Sequence, residues 1–404
     1  MTTSDTHDWQ AFYHASGLTP VINVSGTMTG LGASSAGNPV VAACGAILPH
    51  FVKMHELQAM ASETIAGLTG AEAGFVTASA SAGITLSVAG CMTGPDPAAV
   101  ERLPDATGLK NEVVIQAGHL CHYGAPVDQS IRLAGAAVVP VGQSTQVLDH
   151  HLAGAINERT AAALYVVSHH VVDYGQIPFD AFVALCHEAN VPVIVDAASE
   201  YDLRGFIEAG ADLAIYSAHK FLGGPTAGLV AGAADRVRAA YLQNMGIGRG
   251  MKVGKESIYG AIAALKAWEV RDHAAIRKAE RKALDTWLTA LADRPGIHAG
   301  IVPDPTDNPL DRLRIDVDPA LAGASARAIA AGLAAGDPPV IVRDHEVEQG
   351  WIQLDPCNLL PGQISMVAER LAAVCGAASD GRLAEPDVTV WRNQSVEGYL
   401  TWGR

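Results

Sequence analysis

Six short apolar runs, each followed by a polar turn or an amphipathic segment, fill the middle of the chain. They are EVVIQ (112–116), AAVVPV (136–141), AALYVVS (162–168), VPVIVD (191–196), ADLAIYS (211–217) and AGLVAG (227–232). Most are rich in β-branched residues and apolar on both faces, as strands of a buried parallel sheet are. The segments between them have helical periodicity, for example PFDAFVALCHEAN (178–190). This alternation predicts an α/β fold with a doubly wound, mostly parallel sheet, whose ligands bind at the carboxyl ends of the strands.

The pattern changes after residue 255, and this change predicts the domain organisation. Residues 256–294 have helical periodicity and contain no proline, so we expect one long helix that connects two domains. Short strand-like runs such as LRIDVD and GWIQLD then alternate with helical segments, which is typical of a small α+β domain. The predicted divisions are an N-terminal segment (1–50), a large α/β domain (51–255), the connecting helix (256–294), a small C-terminal α+β domain (295–380) and a polar tail (381–404).

Composition and charge narrow the class of protein. The 404 residues are 49% hydrophobic and carry 27 basic and 42 acidic side chains, for a formal charge of −15. This composition excludes disordered and fibrous chains, and the charge argues against binding to nucleic acid or to an anionic membrane. The N-terminus is polar, and no run approaches the ~20 apolar residues of a membrane helix. The six cysteines form no CxxC pair. We therefore expect reduced thiols and a cytoplasmic location.

Lys220 is the strongest candidate for catalysis, because among eight lysines it alone directly follows an apolar strand. Burial there lowers the pKa of a lysine and favours a Schiff base with an aldehyde. Asp196 ends the preceding strand, 24 residues upstream. A carboxylate in that place can pair with a protonated pyridine nitrogen, which makes the ring an electron sink. A surface lysine and a helix-capping aspartate are the simpler alternatives.

The segment VTASASAG (76–83) predicts a phosphate site. It runs from a strand-like segment into a helix, with Ser79 and Ser81 at the turn, and the free N–H groups at a helix N-terminus bind phosphate well. Ser217, three residues before Lys220, adds a hydroxyl. The alternative for this segment alone is an ordinary turn. The lysine, the aspartate and the turn together predict a site for pyridoxal 5′-phosphate.

With these motifs the chain resembles the fold-type I pyridoxal phosphate enzymes of the selenocysteine synthase-like group, over roughly residues 10–376. The resemblance lies in VINVSGTMTGLG (21–32), VTASASAG (76–83), VIQAGH (114–119), VIVDAASE (193–200), YSAHKFLGGPTAG (216–228), GRGMKVGKESI (248–258) and IQLDPCNLLPG (352–362). It implies the fold-type I architecture, and a homodimer or larger homo-oligomer whose active site forms between subunits. Lys220 is then the Schiff-base lysine that moves protons, and Asp196 is the partner of the pyridine nitrogen.

The resemblance also implies roles for residues around the cofactor. The phosphate is held by Ser79, Ala80, Ser81 and Ser217, and either His119 or His122 lies against the pyridine ring. Arg249, Lys252 and Lys255, in the GRGMKVGKE loop, reach a neighbour's phosphate or an anionic substrate; the alternative is a solvated basic turn.

Three further candidates follow from their places at strand ends. His169 and His219 both end or follow strands and are expected to face the same crevice, although a histidine that only fills space there is the alternative. Either His119 or His169 is the candidate acid for a leaving hydroxyl. Arg343 ends a strand of the small domain, and its planar guanidinium matches a substrate carboxylate. An exposed arginine at a strand end is the alternative.

Two departures from the group bear on the substrate. Selenocysteine synthases carry an N-terminal tRNA-binding extension and basic surfaces, whereas this acidic chain starts almost at the catalytic domain, so we do not expect seryl-tRNA chemistry. Cys357 stands where relatives often have arginine, which argues against a phosphosugar. The predicted function is removal of the α-proton of a small, β-hydroxy amino acid and elimination to a 2-oxo acid and ammonia. Racemisation or epimerisation is the alternative, and transamination or a non-catalytic cofactor-binding role is less favoured.

Overall fold

The computed structural model describes residues 9–402, which group into two compact units. One unit runs from Ala33 to Arg271, and the other combines the chain before Ala33 with the chain after Arg271. The first unit contains α2 (Asn38–Ile47), α3 (Met54–Thr69), β2 (Ala73–Thr77), α4 (Ala80–Thr93), α5 (Pro97–Arg102), β3 (Glu112–Gln116), α6 (Val127–Arg132), β4 (Ala137–Val141), α7 (Asp149–Ala155), β5 (Thr160–Val166), α8 (Phe179–Glu188), β6 (Val193–Asp196), α9 (Gly205–Glu208), β7 (Leu213–Ser217), β8 (Gly228–Gly232), α10 (Ala234–Leu242) and α11 (Lys255–Glu269). The second contains α1 (Trp9–Ser16), β1 (Ile22–Val24), α12 (His273–Leu291), β9 (Ile297–Pro303), β10 (Asp311–Val317), α13 (Pro319–Ala322), α14 (Ala326–Ala334), β11 (Val340–Val342), β12 (Trp351–Leu354), α15 (Gln363–Ser379) and α16 (Val388–Thr401).

A seven-stranded sheet forms the centre of the first unit. Its order is β2-β8-β7-β6-β5-β3-β4, and every pair is parallel except those that β8 makes with β2 and β7. The central strands are buried along their whole length, as their unbroken apolar sequences require. The predicted doubly wound, mostly parallel sheet is confirmed.

Helix α4 lies against one face of this sheet and is buried on nearly all sides. Its sequence is apolar all round, which suits a helix enclosed by a sheet and other helices. Gly90 brings it close to α10, because a Cβ at that position would lie 2.6 Å from the backbone nitrogen of Ala240. Packing on this helix therefore fixes its N-terminus, which carries Ser79–Ser81, beside the strand ends.

The second unit has an antiparallel sheet of order β12-β10-β9 and a parallel pair, β1 with β11. Its core includes Trp287 of α12, Leu313 and Ile315 of β10 and Ile352 of β12. Arg312, also on β10, is buried and forms ion pairs with Asp304 (2.5 Å) and Asp355 (3.0 Å). This is the small α+β arrangement that the sequence predicts for the C-terminal part.

Two features of the organisation differ from the sequence prediction. The stretch 256–294 is two helices rather than one, because α11 ends at Glu269 and Asp272 caps α12 by accepting a hydrogen bond from the Ala275 N–H (2.9 Å). The N-terminal segment is not separate, since β1 pairs with β11 more than 300 residues later. Within residues 9–402, no helix is both long enough and apolar enough to cross a bilayer.

Candidate active site

Asp196 and Lys220 lie at the carboxyl ends of the neighbouring strands β6 and β7. Backbone pairing continues past the end of β6, because the Ala197 N–H donates to the Ile215 carbonyl (2.9 Å) and the Ser217 N–H donates to the Ala198 carbonyl (3.2 Å). This continuation brings the next residue, Ser199, beside Lys220. The Lys220 Nζ donates a hydrogen bond to the Ser199 hydroxyl (2.6 Å).

Burial changes the ionisation of both groups. Asp196 is 5% exposed, and its burial raises the pKa of the carboxyl to about 6, although the charge of Lys220 and the Ala198 N–H act in the opposite direction. Burial lowers the pKa of the Lys220 amine, while the negative charges of Asp196 and Glu200 oppose that change. A lysine with a lowered pKa has a larger fraction of the unprotonated amine, which is the form that attacks an aldehyde or takes a proton, and a buried carboxylate favours a cationic partner.

The start of α4 forms a cradle suited to phosphate. Ser79 is the N-cap, and its hydroxyl accepts a hydrogen bond from the Ala82 N–H (3.0 Å). The first N–H groups of a helix, here those of Ala80 and Ser81, have no partner within the helix and attract anions. Gly228 of β8 lies against this turn, since a Cβ there would be 2.3 Å from the Ser79 carbonyl oxygen. A glycine is therefore required for the strand to approach the cradle.

Polar residues of the two strands on either side of β8 flank Gly228. In the sheet register Gly228 is paired with Thr77 of β2 on one side and with Ser217 of β7 on the other. The Ser217 hydroxyl is hydrogen-bonded to His219 Nδ1 (2.9 Å). Among the described residues, His219 Nε2 and Thr77 Oγ1 are buried and have no hydrogen-bond partner. Buried polar atoms in this state favour a polar ligand.

These residues fit pyridoxal 5′-phosphate. The helix N-terminus, Ser217 and the two buried atoms without partners suit its phosphate and polar substituents. Asp196 suits its ring nitrogen, and Lys220 suits its aldehyde. In the part of the chain that the structure describes, no group of three or more His, Cys, Asp or Glu residues is arranged to hold a metal ion.

His119 contacts the end of β5. It is 2% exposed, its Nδ1 accepts a hydrogen bond from the Val166 N–H (3.1 Å), and its ring meets Tyr165 edge to face at 4.5 Å between centroids. Burial lowers the pKa of His119 to about 4, so the imidazole is neutral at pH 7. These contacts hold the ring against β5, and its predicted roles beside the pyridine ring and as an acid stay predictions.

The other predicted histidines lie in the loops after β3, β5 and β7. The His122 Nδ1 accepts a hydrogen bond from the Gly124 N–H (3.4 Å) in an exposed turn. The ring of His169 contacts that of His170 at a tilt of 45°, with 3.9 Å between ring centroids. Burial lowers the pKa of His219, which favours a neutral ring beside Ser217. The functions predicted for these side chains remain predictions.

The sequence analysis missed a chain of hydroxyl groups next to the cradle. The Tyr123 hydroxyl is 3.2 Å from the Ser130 hydroxyl, which is 2.7 Å from the Ser81 hydroxyl. Burial raises the pKa of Tyr123, and the charge of Asp196 adds to this effect. Cys121, two residues earlier, is also buried, and Asp196 and Lys220 act on its ionisation. The sequence did contain a signal for Tyr123 and Cys121, because the segment 120–126 follows the predicted strand 112–116 and residues after such strands are expected near the site.

Arg343 belongs to the second unit, which combines the chain before Ala33 with the chain after Arg271. It follows β11, and its backbone pairs with that of Gln353 in both directions (2.9 and 3.0 Å). Its guanidinium is buried, and Nε has no hydrogen-bond partner among residues 9–402. Burial lowers the pKa of Arg343, and the charge of Arg312 adds to this effect. The predicted alternative, an exposed arginine, is wrong.

The predicted basic loop leads into α11. Arg249 and Lys252 are exposed, in and after a short 3₁₀ segment (Ile247–Met251). Lys255 begins α11, and its amine donates to the His50 carbonyl.

Cys357 follows Asp355, whose carboxylate accepts a hydrogen bond from the Cys357 N–H (3.0 Å). Burial raises the pKa of the Cys357 thiol, so it is neutral at this place.

Comparisons with known proteins identify the family. Residues 21–281 match the model of the SelA family, described as L-seryl-tRNA selenium transferase. The chain is 37% identical to the D-glucosaminate-6-phosphate ammonia lyase of Salmonella typhimurium (strain 14028s / SGSC 2262) over 91% of this chain and 99% of that protein. It is 39% identical to the 5'-C-glycyluridine monooxygenase-decarboxylase of a Streptomyces species over 89% of this chain and 90% of that protein.

Solved structures of other proteins share the fold of this chain. A structure of D-glucosaminate-6-phosphate ammonia-lyase superposes with a TM-score of 0.82 at 36% identity, covering 91% of this chain and 99% of that one. An aspartate aminotransferase from Thermus thermophilus has a TM-score of 0.53 at 16% identity, covering 89% and 98% of the two chains, which shows the shared fold alone. The predicted resemblance, the fold-type I architecture and the pyridoxal phosphate cofactor are confirmed.

Proposed function

The chain belongs to the SelA family of pyridoxal phosphate enzymes, and on that premise we propose that it is an ammonia-lyase acting on a small β-hydroxy amino acid. The products are a 2-oxo acid and ammonia. The observation that carries the proposal is the placement of Lys220, which lies beside the buried Asp196 and is hydrogen-bonded to Ser199 (2.6 Å). The 37% identity to a protein named as an ammonia lyase supports elimination.

In this proposal Lys220 moves the protons. Bound pyridoxal phosphate supplies a ring that takes up the electron pair left when the Cα proton of a bound amino acid is removed. Lys220 Nζ is the base for that proton, because burial lowers its pKa and so increases the fraction present as the free amine, which has a lone pair to take the proton. Asp196 holds its negative charge toward the ring nitrogen, and Ser79, Ala80, Ser81 and Ser217 hold the phosphate.

Elimination also needs a proton for the departing hydroxyl. We assign this proton to Lys220 Nζ, which carries it after taking it from Cα. His119 is a weaker choice as the donor, because its pKa of about 4 keeps it neutral at pH 7. His169 stays a candidate by its place after β5.

Arg343 is the proposed ligand of the substrate carboxylate. Its guanidinium is buried, and its Nε has no hydrogen-bond partner in the described part of the chain. A buried N–H group without an acceptor is costly, and a carboxylate matches a guanidinium with two parallel hydrogen bonds. Arg249 and Lys252 are the proposed contacts for a further anionic group, from the substrate or from a neighbouring subunit.

We further propose that the active unit is a homodimer or a larger homo-oligomer, in the cytoplasm, with the site at the subunit interface. The support is a set of exposed apolar side chains on α2, α3 and the loop between them, which includes Val41, Leu48, Phe51 and Met60. Phe51 is fully exposed. Exposed patches of this kind are typical of protein–protein contacts.

A second candidate function is oxygen-dependent decarboxylation. It is favoured by the 39% identity to the protein named as a monooxygenase-decarboxylase. Both functions begin with charge developing at the Cα of an amino acid. They differ in their products, because decarboxylation releases CO₂ and consumes O₂, whereas elimination releases water and then ammonia without O₂.

The test is a product analysis with the cofactor-loaded enzyme. A panel of D- and L-β-hydroxy amino acids, including sugar-derived ones, is incubated with and without O₂, and ammonia, 2-oxo acid and CO₂ are measured. Ammonia and 2-oxo acid in equal amounts, independent of O₂, support the lyase. Inversion at Cα without ammonia supports a racemase, and CO₂ with O₂ uptake supports the second candidate. Either result overturns the proposal for that panel.

A further inference from the structure

The turn that carries Lys220 depends on side chains from distant parts of the chain. The five carbonyls of residues 218–222 all accept a hydrogen bond. Two of these bonds come from the backbone of the turn itself, from the N–H groups of Gly223 (2.9 Å) and Gly224 (2.7 Å). The other three come from two side chains far away in the sequence. A buried carbonyl without a partner is costly, so these two side chains complete the turn.

Arg271 donates two of these three hydrogen bonds. Its Nη1 donates to the Phe221 carbonyl (2.8 Å), and its Nη2 donates to the Leu222 carbonyl (3.1 Å). Arg271 follows the end of α11, and its guanidinium carbon lies over the ring of Trp268, 4.6 Å from the ring centroid. A planar guanidinium can stack on an aromatic ring while its N–H groups bond at its edge. Trp268, a residue of α11, therefore holds the guanidinium where it reaches both carbonyls.

Ser34 and an aromatic contact hold the backbone on the two sides of Lys220. The Ser34 hydroxyl donates the third hydrogen bond, to the carbonyl of His219, directly before the lysine (2.6 Å). Phe221, directly after the lysine, contacts the ring of Tyr201 with 4.4 Å between centroids. Tyr201 comes shortly after the serine whose hydroxyl accepts the hydrogen bond from Lys220 Nζ. The backbone before and after Lys220 and the turn that its amine contacts are thus held together.

We propose that Arg271 and Ser34 are positioning residues that fix the backbone of Lys220, and with it the place from which the amine reaches the cofactor. Both act through the carbonyls next to the lysine. A reacting group displaced by about 1 Å can slow a reaction on the order of 100-fold, so the hydrogen bonds of this turn affect the rate directly. The inference rests on the proposed function of Lys220 as the reacting amine, and it holds whether or not elimination follows.

The experiment measures how fast Lys220 captures the cofactor. The full-length chain, free of cofactor, is mixed with increasing concentrations of pyridoxal 5′-phosphate in a stopped-flow instrument. The Lys220 amine adds to the aldehyde carbon, water leaves, and the resulting C=N bond is followed by visible absorbance. Borohydride reduction and mass spectrometry verify that Lys220 is the modified residue.

Two quantities from this experiment separate the position of the amine from the affinity for phosphate. The limiting first-order rate at saturating cofactor depends on the position of the amine, whereas the half-saturating concentration depends on the phosphate cradle. Arg271→Met keeps a long side chain against Trp268 but removes two hydrogen bonds of the turn. It is expected to lower the limiting rate about tenfold or more and to leave the half-saturating concentration within about twofold of wild type.

Matched variants separate position from charge and from stability. Arg204→Met is the control, because Arg204 also donates to a distant carbonyl of the same unit, that of Gly67 (2.9 Å), and its limiting rate is expected to equal that of wild type. Arg271→Lys keeps the charge, but an ammonium does not replace a planar guanidinium, so most of the loss is expected to remain. Ser34→Ala is expected to lower the rate severalfold, whereas Ser35→Ala, at an exposed neighbour, is expected to leave it unchanged. Should Arg271→Met not fold, the serine pair provides the test.

Three results would overturn the role of Arg271. They are a limiting rate in Arg271→Met within about twofold of wild type, a change confined to the half-saturating concentration, and full recovery of the rate in Arg271→Lys, which would assign the effect to charge. An equal loss in Arg204→Met would also overturn it, because a general loss of stability would then explain the slower capture.

The measurement uses no amino acid, so its outcome is separate from that of the proposed function. Slower capture in Arg271→Met, together with no elimination by the wild type on any substrate, supports the positioning role and overturns the lyase. Elimination by the wild type with unchanged capture in Arg271→Met does the reverse.

Discussion

Replacing Asp196 by asparagine is expected to stabilise the cofactor-free chain while it weakens cofactor binding. Burial raises the pKa of this carboxyl from an ordinary value of 3.8 to about 6. A carboxyl with a raised pKa stabilises the fold while it is protonated, at low pH, and that contribution is lost as the pH rises through 6. At neutral pH the chain thus carries a buried charge that is unfavourable without the cofactor. Asparagine has nearly the same shape and no charge.

The size of the effect follows from the two pKa values. They differ by about two pH units, and each unit corresponds to about 1.4 kcal/mol, so the ionised Asp196 costs about 3 kcal/mol above pH 7. At pH 5 the carboxyl is mostly protonated in the folded chain, and the same calculation gives about half of that cost. The stability gained by Asp196→Asn is therefore expected to double, roughly, between pH 5 and pH 8.

The assay is denaturant unfolding of the cofactor-free wild type and variant, at equal protein concentration, at pH 5 and pH 8. Asp128→Asn is the control, because Asp128 pairs with Arg132 (3.1 Å) on the surface of α6, and its loss is expected to change stability by less than about 1 kcal/mol at either pH. Cofactor affinity is measured in parallel and is expected to fall in Asp196→Asn alone. A variant less stable than wild type at pH 8, or a difference that does not change with pH, would refute the reasoning.

Three further predictions concern the cradle and the substrate. Gly228→Ala is expected to lower cofactor affinity at least about tenfold in equilibrium dialysis, because the new Cβ would clash with the Ser79 carbonyl oxygen. The control Gly154→Ala, with open space around it, is expected to have no effect. Equal affinities of the two variants would contradict the close approach of β8 to the cradle. Tyr123→Phe is expected to weaken cofactor binding severalfold while the free energy of unfolding changes by only about 1 kcal/mol; unchanged binding removes Tyr123 from the site. Arg343→Lys is expected to raise KM about tenfold or more with kcat nearly unchanged, because one ammonium cannot replace two parallel hydrogen bonds. A fall in kcat with KM unchanged would contradict binding of the substrate carboxylate by Arg343.

The sequence was sufficient for the large sheet and for the central chemistry. Strands of a buried parallel sheet have unbroken apolar sequences, so β3 to β8 are visible from their residues alone. A charged residue directly after such a strand is equally visible, which is why Asp196 and Lys220 stand out. The place of the site then follows from the general rule that ligands bind at the carboxyl ends of the strands, whereas the strand order was not predicted.

Other features depend on contacts between residues far apart in the chain. The pairing of β1 with β11 joins segments more than 300 residues apart, and β1 has only three residues, too few for a pattern. The break between α11 and α12 had a local signal, since Asp272 is a good helix-capping residue, but the helical periodicity on either side concealed it. Ser199 belongs to a polar turn in the sequence, and only the backbone pairing that continues past the end of β6 brings its hydroxyl to Lys220.

The most direct test of the account is hydrogen exchange at Cα. Proton NMR in D₂O follows the Cα signal of a β-hydroxy amino acid with the cofactor-loaded wild type and with Lys220→Ala, whose folding is checked by circular dichroism. We expect the wild type to lose the Cα signal as 2-oxo acid and ammonia accumulate, and Lys220→Ala to do neither. Loss of the Cα signal at the wild-type rate in Lys220→Ala would contradict the assignment of Lys220 as the base.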